Sequence, residues 1–441
     1  MKTRLTLATI ALSAAAFGAT PYDTMNLKGR TDKENPVAYK VGEPIVFTLF
    51  SDLKTVPTNG LKVVWTCSGD DGQKTEGEAP FALGEITKVT TSLTKPGFVK
   101  LEAHLVDAAG NKIMRDIVAP GEEDWTNNKG VNFYGGAGAN VSELRQAVPE
   151  PRDFDEFWAK QRKLLASVPM RTQRYAAKGF ADDPDQRIEC VYIACPGYRP
   201  ATGFLVMPKG AAPKSCSIKL GVQGYGCYRP SVGKQKDLGN EIRFFMNAHG
   251  LELEAGQEYY DDYFAAIDHS DAPWTSYAWN VIENQKPETC YFRDMALLVM
   301  RALEFLKTLP EWNGKDLVVE GGSQGGLQTC WAAGLDPDVS LARPGVPWCC
   351  DMGIAITPRL KGHWYIPYAP GLDYFDPINH IRRAKCPVEI TRAGLGDYTS
   401  PPSAVAALYN AIPGKGSIYW VQGAQHGNTP PAPNQTITLR K

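Results

Sequence analysis

Between about residues 40 and 118, apolar and polar residues alternate in short runs. Ile45, Phe47 and Leu49 share one face, Leu61, Val63, Trp65 and Cys67 another, and Val99, Leu101, Ala103 and Leu105 oppose Lys100, Glu102 and His104. A period of two predicts strands with one buried face. It also puts His104 on a polar face, as a solvated side chain rather than a ligand. Thr58-Asn59-Gly60, Asp70-Asp71-Gly72, Lys95-Pro96-Gly97 and Ala109-Gly110-Asn111 separate the runs as turns. Several short strands with regular turns predict a small all-β sandwich, immunoglobulin-like, over residues 20–120.

The alternation stops near Ala119-Pro120-Gly121, and a Gly- and Asn-rich stretch follows that contains Gly135-Gly136-Ala137-Gly138. It lacks the preceding strand and the Lys-Ser or Lys-Thr of a phosphate loop. Residues 121–150 therefore read as a linker that few contacts need cross. Asp153, with Glu156 three residues on, opens a helix whose apolar face holds Phe154, Phe157, Trp158, Leu164 and Leu165. Strands and helices then alternate: a hairpin of 188–195 and 201–207, strands at 218–222, 242–246, 317–320, 388–392 and 417–421, and helices over 295–309, after Gln324 and after Pro402. For residues 151–441 this predicts an α/β domain, a mostly parallel sheet covered by helices on both faces.

The first nineteen residues stand apart. Lys2 and Arg4 precede an apolar, small-residue run from Leu5 to Phe17, which predicts a signal peptide cleaved between Ala16 and Ala19 and an exported protein. The run is shorter than the ~20 residues of a membrane span. The rest has globular composition, with 43% hydrophobic and 22% charged residues in 441, which excludes a disordered chain, collagen or a coiled-coil array. Lys plus Arg number 47 against 48 Asp plus Glu, without charged runs, so neither nucleic acid nor a membrane is an expected partner. The ten cysteines are scattered without a CxxC pair. No metal site is expected, and most of them read as small buried hydrophobes, with roughly one or two bridges at most.

Leu317-Val318-Val319-Glu320 runs straight into Gly321-Gly322-Ser323-Gln324-Gly325-Gly326, after which Leu327, Cys330, Trp331 and Ala333 suit a packed helix. This is G-x-S-x-G in the strand-turn-helix setting of a nucleophile elbow, where small neighbours permit a strained, closely packed backbone. Serine at its ordinary pKa is a poor nucleophile. It needs a histidine base and an acid to orient that base, in the chain order Ser, Asp or Glu, His. Of the three histidines beyond Ser323, His426 lies in a short loop after the strand ending at Val421, while His363 and His380 read as structural or substrate-facing. Asp397 follows the preceding strand in Gly394-Leu395-Gly396-Asp397; Asp351, Asp373 and Asp376 are rivals less well placed. The expected oxyanion donors are the backbone N–H of Gln324, next after the nucleophile, and that of Tyr225 in Gln223-Gly224-Tyr225-Gly226, after the third strand.

In order and spacing these pieces resemble the acetyl xylan esterase and cephalosporin C deacetylase family of α/β-hydrolases, over about residues 150–430. The resemblance is carried by Phe154-Asp155-Glu156-Phe157-Trp158, Gly224-Tyr225-Gly226, Gly321 to Gly326, Val346-Pro347-Trp348 with Asp351, Tyr374-Phe375-Asp376, Cys386-Pro387-Val388, and Gly394 to Asp397 with Pro401-Pro402 and Tyr409-Asn410. It implies the α/β-hydrolase fold, a triad of Ser323, Asp397 and His426, and an oxyanion hole of Tyr225 and Gln324. It implies also a small acyl pocket and a homo-oligomer, often a hexamer in the family, which an added β-domain would block or alter. Two places depart from the family pattern: Asn247-Ala248-His249-Gly250 stands where an Asp-Thr-Arg-Gly type segment is usual, and Ser400 where cysteine is common. The β-sandwich lies outside the resemblance.

The reading is an exported serine carboxylesterase, needing no cofactor or metal, that removes acetyl or other short acyl groups from carbohydrate such as xylan or its oligosaccharides. Its rivals are another hydrolase of this fold, a peptidase or general short-chain esterase, and a non-catalytic carbohydrate-binding protein on the same scaffold. The segment before the linker is too short for the propeller of a prolyl-oligopeptidase-like enzyme, and serine at the elbow argues against a dienelactone hydrolase. Trp274, Trp348 and Trp364 are candidates to stack on sugar rings, with core packing as the alternative.

Overall fold

The computed structural model describes residues 26–51, 59–115, 130–197, 199–233, 238–267, 277–427 and 434–441. The expected signal peptide, the first part of the expected linker (121–129) and Trp274 lie outside these residues.

Seven strands come first: β1 (Lys28–Thr31), β2 (Ile45–Phe50), β3 (Lys62–Gly69), β4 (Lys74–Pro80), β5 (Thr87–Thr91), β6 (Gly97–Val106) and β7 (Asn132–Ala139). They form a three-stranded sheet ordered β1-β2-β5 and a four-stranded sheet ordered β4-β3-β6-β7, antiparallel throughout. The period-two positions supply one core, with Ile45, Phe47, Leu49, Val63, Cys67, Val99, Leu101 and Leu105 buried together. His104 is not solvated as expected. It is half-buried with its ring 5.7 Å edge-on to Tyr134, and burial lowers its pKa.

The linker expected at 121–150 is corrected by β7, which lies along β6 with Gly135 opposite Leu101 and Ala137 opposite Val99. Glycine disfavours strands by propensity. Here, however, a side chain has no room, because a Cβ on Gly136 would stand 2.6 Å from Val99 O and 2.7 Å from Leu395 O. The expectation that few contacts cross fails for the same reason. Phe98 packs 5.4 Å from Trp420, Asp70 accepts a hydrogen bond from Leu360 N at 2.9 Å, and Gln435 accepts from Thr31 N at 2.9 Å.

Helix α1 (Phe154–Ala166) buries Phe154, Phe157, Trp158 and Leu165, but Leu164 is exposed. Asp153 takes the N-cap position without capping the helix; its carboxylate accepts from Tyr374 OH instead. The main sheet contains β8 (Thr172–Ala176), β9 (Gln186–Ile193), β10 (Ala201–Pro208), β11 (Cys216–Gly221), β12 (Glu241–Asn247), β13 (Trp312–Gly322), β14 (Leu341–Gly345), β15 (Val388–Gly394), β16 (Gly416–Val421) and β17 (Thr436–Arg440). Their order is β17-β16-β15-β14-β13-β11-β12-β10-β9-β8. The block from β12 to β16 is parallel, with β17 antiparallel at one side and β10, β9 and β8 antiparallel at the other. Between the strands come α2 (Gln257–Ile267), α3 (Tyr291–Leu306), α4 (Gln324–Leu335), α5 (Pro377–Ile381) and α6 (Pro402–Ala411).

Because β13 returns beside β11, the chain reverses its direction of travel across the sheet there. The loops after β11, β13, β15 and β16 consequently open on one edge, outside the carboxyl ends of parallel strands, where α/β sheets hold their ligands. Among the described residues no helix is long and apolar enough to cross a membrane. All ten cysteines are buried and unpaired.

Candidate active site

Ser323 follows β13 at φ 58° and ψ −119°, a conformation that costs a residue with a Cβ roughly 1–3 kcal/mol. Neighbouring groups hold it there. Ser323 N–H donates to Gly345 O at 2.9 Å, and Ser323 O accepts from Leu327 N and Trp348 N, each at 3.1 Å. Gly325 lets α4 start hard against the end of β11, since a Cβ there would stand 2.6 Å from Val222 O. Gln324 is the first residue of α4, so its N–H has no carbonyl to pair with inside the helix.

Asp397 follows β15, and His426 follows β16. His426 Nδ1 lies 2.9 Å from Asp397 Oδ2, and Nε2 lies 2.8 Å from Ser323 Oγ. Asp397 is 1% exposed, and its other oxygen accepts from Thr399 N at 3.0 Å and Ser400 N at 2.9 Å. A proton on Nδ1 satisfies both imidazole contacts: Nδ1 donates to the carboxylate, and Nε2 accepts from the serine hydroxyl. Arg392 Nη2 donates to His426 O and ties the loop to β15.

The rival residues stand elsewhere. Asp351 pairs with Arg359 at 2.8 Å and accepts from Ala147 N at 2.7 Å. Asp376 accepts from the N–H groups of Asp351, Met352 and Ile378, and Asp373 from Tyr368 OH. Burial pushes Asp351 and Asp373 up to about 6 and Asp376 to about 8. His380 sits among Phe154, Trp158 and Trp331 with Nε2 3.0 Å from Tyr374 O, and burial lowers its pKa to about 3. His363 lies beside Trp364. Asp351, Asp373, Asp376 and His380 thus bond to groups other than His426.

The loop Gly224-Tyr225-Gly226 follows β11 and is fastened to α4 by two glutamines. Gln324 Nε2 donates to Gly224 O at 3.2 Å, and Gln328 Nε2 donates to Gln223 O at 2.7 Å. Tyr277 OH donates to Gln324 Oε1. From the other side His249, 2% exposed, places Nε2 3.1 Å from Gly226 O and Nδ1 2.8 Å from Tyr291 OH. Burial pushes its pKa down to about 4, so near neutral pH the uncharged ring donates from Nε2 to the carbonyl and accepts at Nδ1. The sequence marked His249 only as a departure from a family pattern, and gave no sign of Gln328 or Tyr277. The position of 247–250 after a parallel strand was the signal for the first; nothing local pointed to the other two.

A cavity of about 470 Å³ opens in front of Ser323 and His426, walled by Tyr225, Trp348, Trp364 and Val346. Trp348 is 1% exposed, donates from Nε1 to Trp364 O at 3.1 Å, and packs 5.4 Å from Tyr225 and 5.5 Å from Trp279. It is a core residue that also forms the cavity wall. Among the described residues no three His, Cys, Asp or Glu side chains gather as a metal-binding group. An imidazole between a buried carboxylate and a serine hydroxyl, beside the N-terminus of a helix, is equipped for acyl transfer.

Residues 139–366 match the acetyl xylan esterase (AXE1) family. That span contains Ser323, Gln324 and Tyr225, while Asp397 and His426 lie beyond it. Acetyl esterase Axe7A of Xylanibacter ruminicola is 28% identical over 288 residues, 61% of this chain, and the match spans 62% of that protein's length. Two solved structures share the α/β-hydrolase fold with its mixed central sheet. The acetyl xylan esterase from Paenibacillus sp. R4 has a TM-score of 0.55 at 23% identity, covering 65% of this chain and 93% of its own. Acetyl xylan esterase 1 from Thermoanaerobacterium sp. JW/SL YS485 has a TM-score of 0.53 at 20% identity, covering 65% and 92%.

Proposed function

Because the chain belongs to the acetyl xylan esterase (AXE1) family, we propose that it is a serine carboxylesterase that removes acetyl and other short acyl groups from acetylated carbohydrate, xylan or its oligosaccharides. The observation that carries this reading is the unbroken hydrogen-bonded run from Asp397 through His426 to Ser323, opening on the aromatic-walled cavity. Ser323 Oγ attacks the ester carbonyl as His426 Nε2 takes its proton, and Asp397 keeps the imidazole in the productive tautomer and offsets its charge. The N–H groups of Gln324 and Tyr225 stabilise the oxyanion. His426 then protonates the departing sugar alcohol and activates the water that releases acetate.

The same reading has the protein exported behind a signal peptide at residues 1–19. It takes the two N-terminal sheets as an immunoglobulin-like sandwich ahead of the hydrolase domain, and allows a homo-oligomer. Acetate release from a panel of acetylated xylan and xylo-oligosaccharides, with Ser323→Ala as control, tests the activity. Hydrolysis of aryl acetates alone would reduce the protein to a general short-chain esterase. Failure to react with a fluorophosphonate would leave a carbohydrate-binding protein.

A further inference from the structure

Strand β7 runs behind the two loops that carry Asp397 and His426. Gln422, 2% exposed, stands where the chain leaves β16 for His426. Its side-chain amide pairs with the backbone of Gly136 on both counts: Gly136 N donates to Oε1 at 2.9 Å, and Nε2 donates to Gly136 O at 2.8 Å. The amide acts as one more rung of the four-stranded sheet. The acid's loop approaches β7 as closely, because a Cβ on Gly396 would stand 2.2 Å from Tyr134 O. The two loops are also bonded to each other, Leu395 N to Val421 O and Gly396 N to Ala424 O, each at 3.0 Å. Beyond Asp397, Lys100 of β6 places Nζ 4.9 Å from the centroid of the Tyr398 ring. The N-terminal sheet therefore meets the chain on both sides of Asp397 and just before His426.

We propose that β7 is a positioning element for the triad and that Gln422 is its positioning residue, clamping the acid and base loops onto the N-terminal sheet. This rests on the esterase reading. Functional side chains must be held to within roughly 0.5 Å of productive geometry, and the two loops carry only a few backbone bonds of their own, Gln422 N to Gln435 O at 2.9 Å and Gly396 N to Ala424 O at 3.0 Å among them. The Gln422 amide adds to that bonding at the backbone on which His426 stands. Without it, Gly136 keeps a buried donor and a buried acceptor unpaired, and the loop is free to shift away from Ser323.

Gln435→Ala is the matched control. It removes bonds at the same domain boundary, to Thr31 N at 2.9 Å and Lys33 O at 2.6 Å, without touching either loop's side-chain clamp. Both variants are compared with the full-length wild type in kcat and KM on an aryl acetate, rate of fluorophosphonate labelling, and Tm. Gln422→Ala is expected to lower kcat and the labelling rate roughly tenfold or more with KM within about twofold, whereas Gln435→Ala lowers Tm and leaves both rates within about twofold. Gln422→Glu, which keeps the acceptor for Gly136 N but sets a buried carboxylate oxygen against Gly136 O, should lose at least as much as Gln422→Ala. The proposal is overturned if Gln422→Ala keeps its rates, if Gln435→Ala loses as much, or if both Gln422 variants fail to fold while Gln435→Ala folds. A wild type whose aryl acetate hydrolysis survives Ser323→Ala would sink the esterase reading itself; dependence on Ser323 with fully active Gln422 variants would sink the clamp alone.

Discussion

Asp397 gives one carboxylate oxygen to its own loop and the other to His426. Oδ1 accepts from Thr399 N and Ser400 N while Oδ2 faces His426 Nδ1 at 2.9 Å, so the carboxylate is oriented before the imidazole leans on it. Asp397→Asn leaves this frame standing but sets an amide against the imidazole. When the amide nitrogen faces Nδ1, the ring must carry its proton on Nε2 and no longer accepts from Ser323. A fall in kcat of roughly 10⁴ is expected with little change in KM. Asp351→Asn is the comparison, and if it proves more damaging to aryl acetate hydrolysis the acid has been misassigned.

The backbone of Ser323 predicts an exchange of stability against activity. Ser323→Gly removes the Cβ that makes φ 58° costly. It should raise unfolding stability by about 1 kcal/mol in denaturant titrations while abolishing hydrolysis. Ser323→Ala keeps the Cβ and should show no such gain. Equal stability of the two variants would mean that the turn stores no strain.

Acidification should weaken the support of the Tyr225 loop through His249. The unfolded chain protonates this histidine near its ordinary 6.5, whereas the folded chain resists until about 4. Stability present at pH 7 is therefore lost as pH falls through that interval, by roughly 1–3 kcal/mol. The buried acids Asp351, Asp373 and Asp376 act with opposite sign, since the folded protein takes their protons first. The test therefore compares slopes. His249→Gln should be less stable than wild type at pH 7 and lose less between pH 7 and 5, and parallel pH profiles would contradict the assignment.

Acyl preference follows from the cavity. With Trp348 and Trp364 bonded to each other and Tyr225 packed against both, the wall has little freedom to retreat. Rates on aryl esters should fall steadily from acetate to butyrate to octanoate, and an optimum at octanoate would rule out a short-acyl pocket.

The legible parts of the sequence were those written in local periodicity. Alternation around Phe47 and Leu101 identified sheets, and the strand-turn-helix around Ser323 identified the elbow. The position of Asp397 and His426 after successive parallel strands brought them to the same edge. What stayed hidden was decided by distant packing. The stretch from Gly135 to Gly138 looked like a linker because its fitness as a strand lies in the closeness of Val99 and Leu395, not in its own residues. Leu341-Ala342-Arg343-Pro344-Gly345 gave no strand signal although it is β14, since a charge and a proline interrupt the apolar run. Gln328 and Tyr277 carried no local signal, because their partners Gln223 and Gln324 are far off in the chain.

The ten enclosed thiols have a use unrelated to ester chemistry. Cys67 lies in the N-terminal core, and Cys216 and Cys330 lie in the main one. Burial keeps thiols such as Cys67 protonated, with its pKa near 11, and a thiol reacts with alkylating reagents chiefly as the exposed thiolate. Each core thus carries its own latent chemical clock: the order in which Cys67 and Cys330 become alkylated during slow heating records which half of the molecule comes apart first.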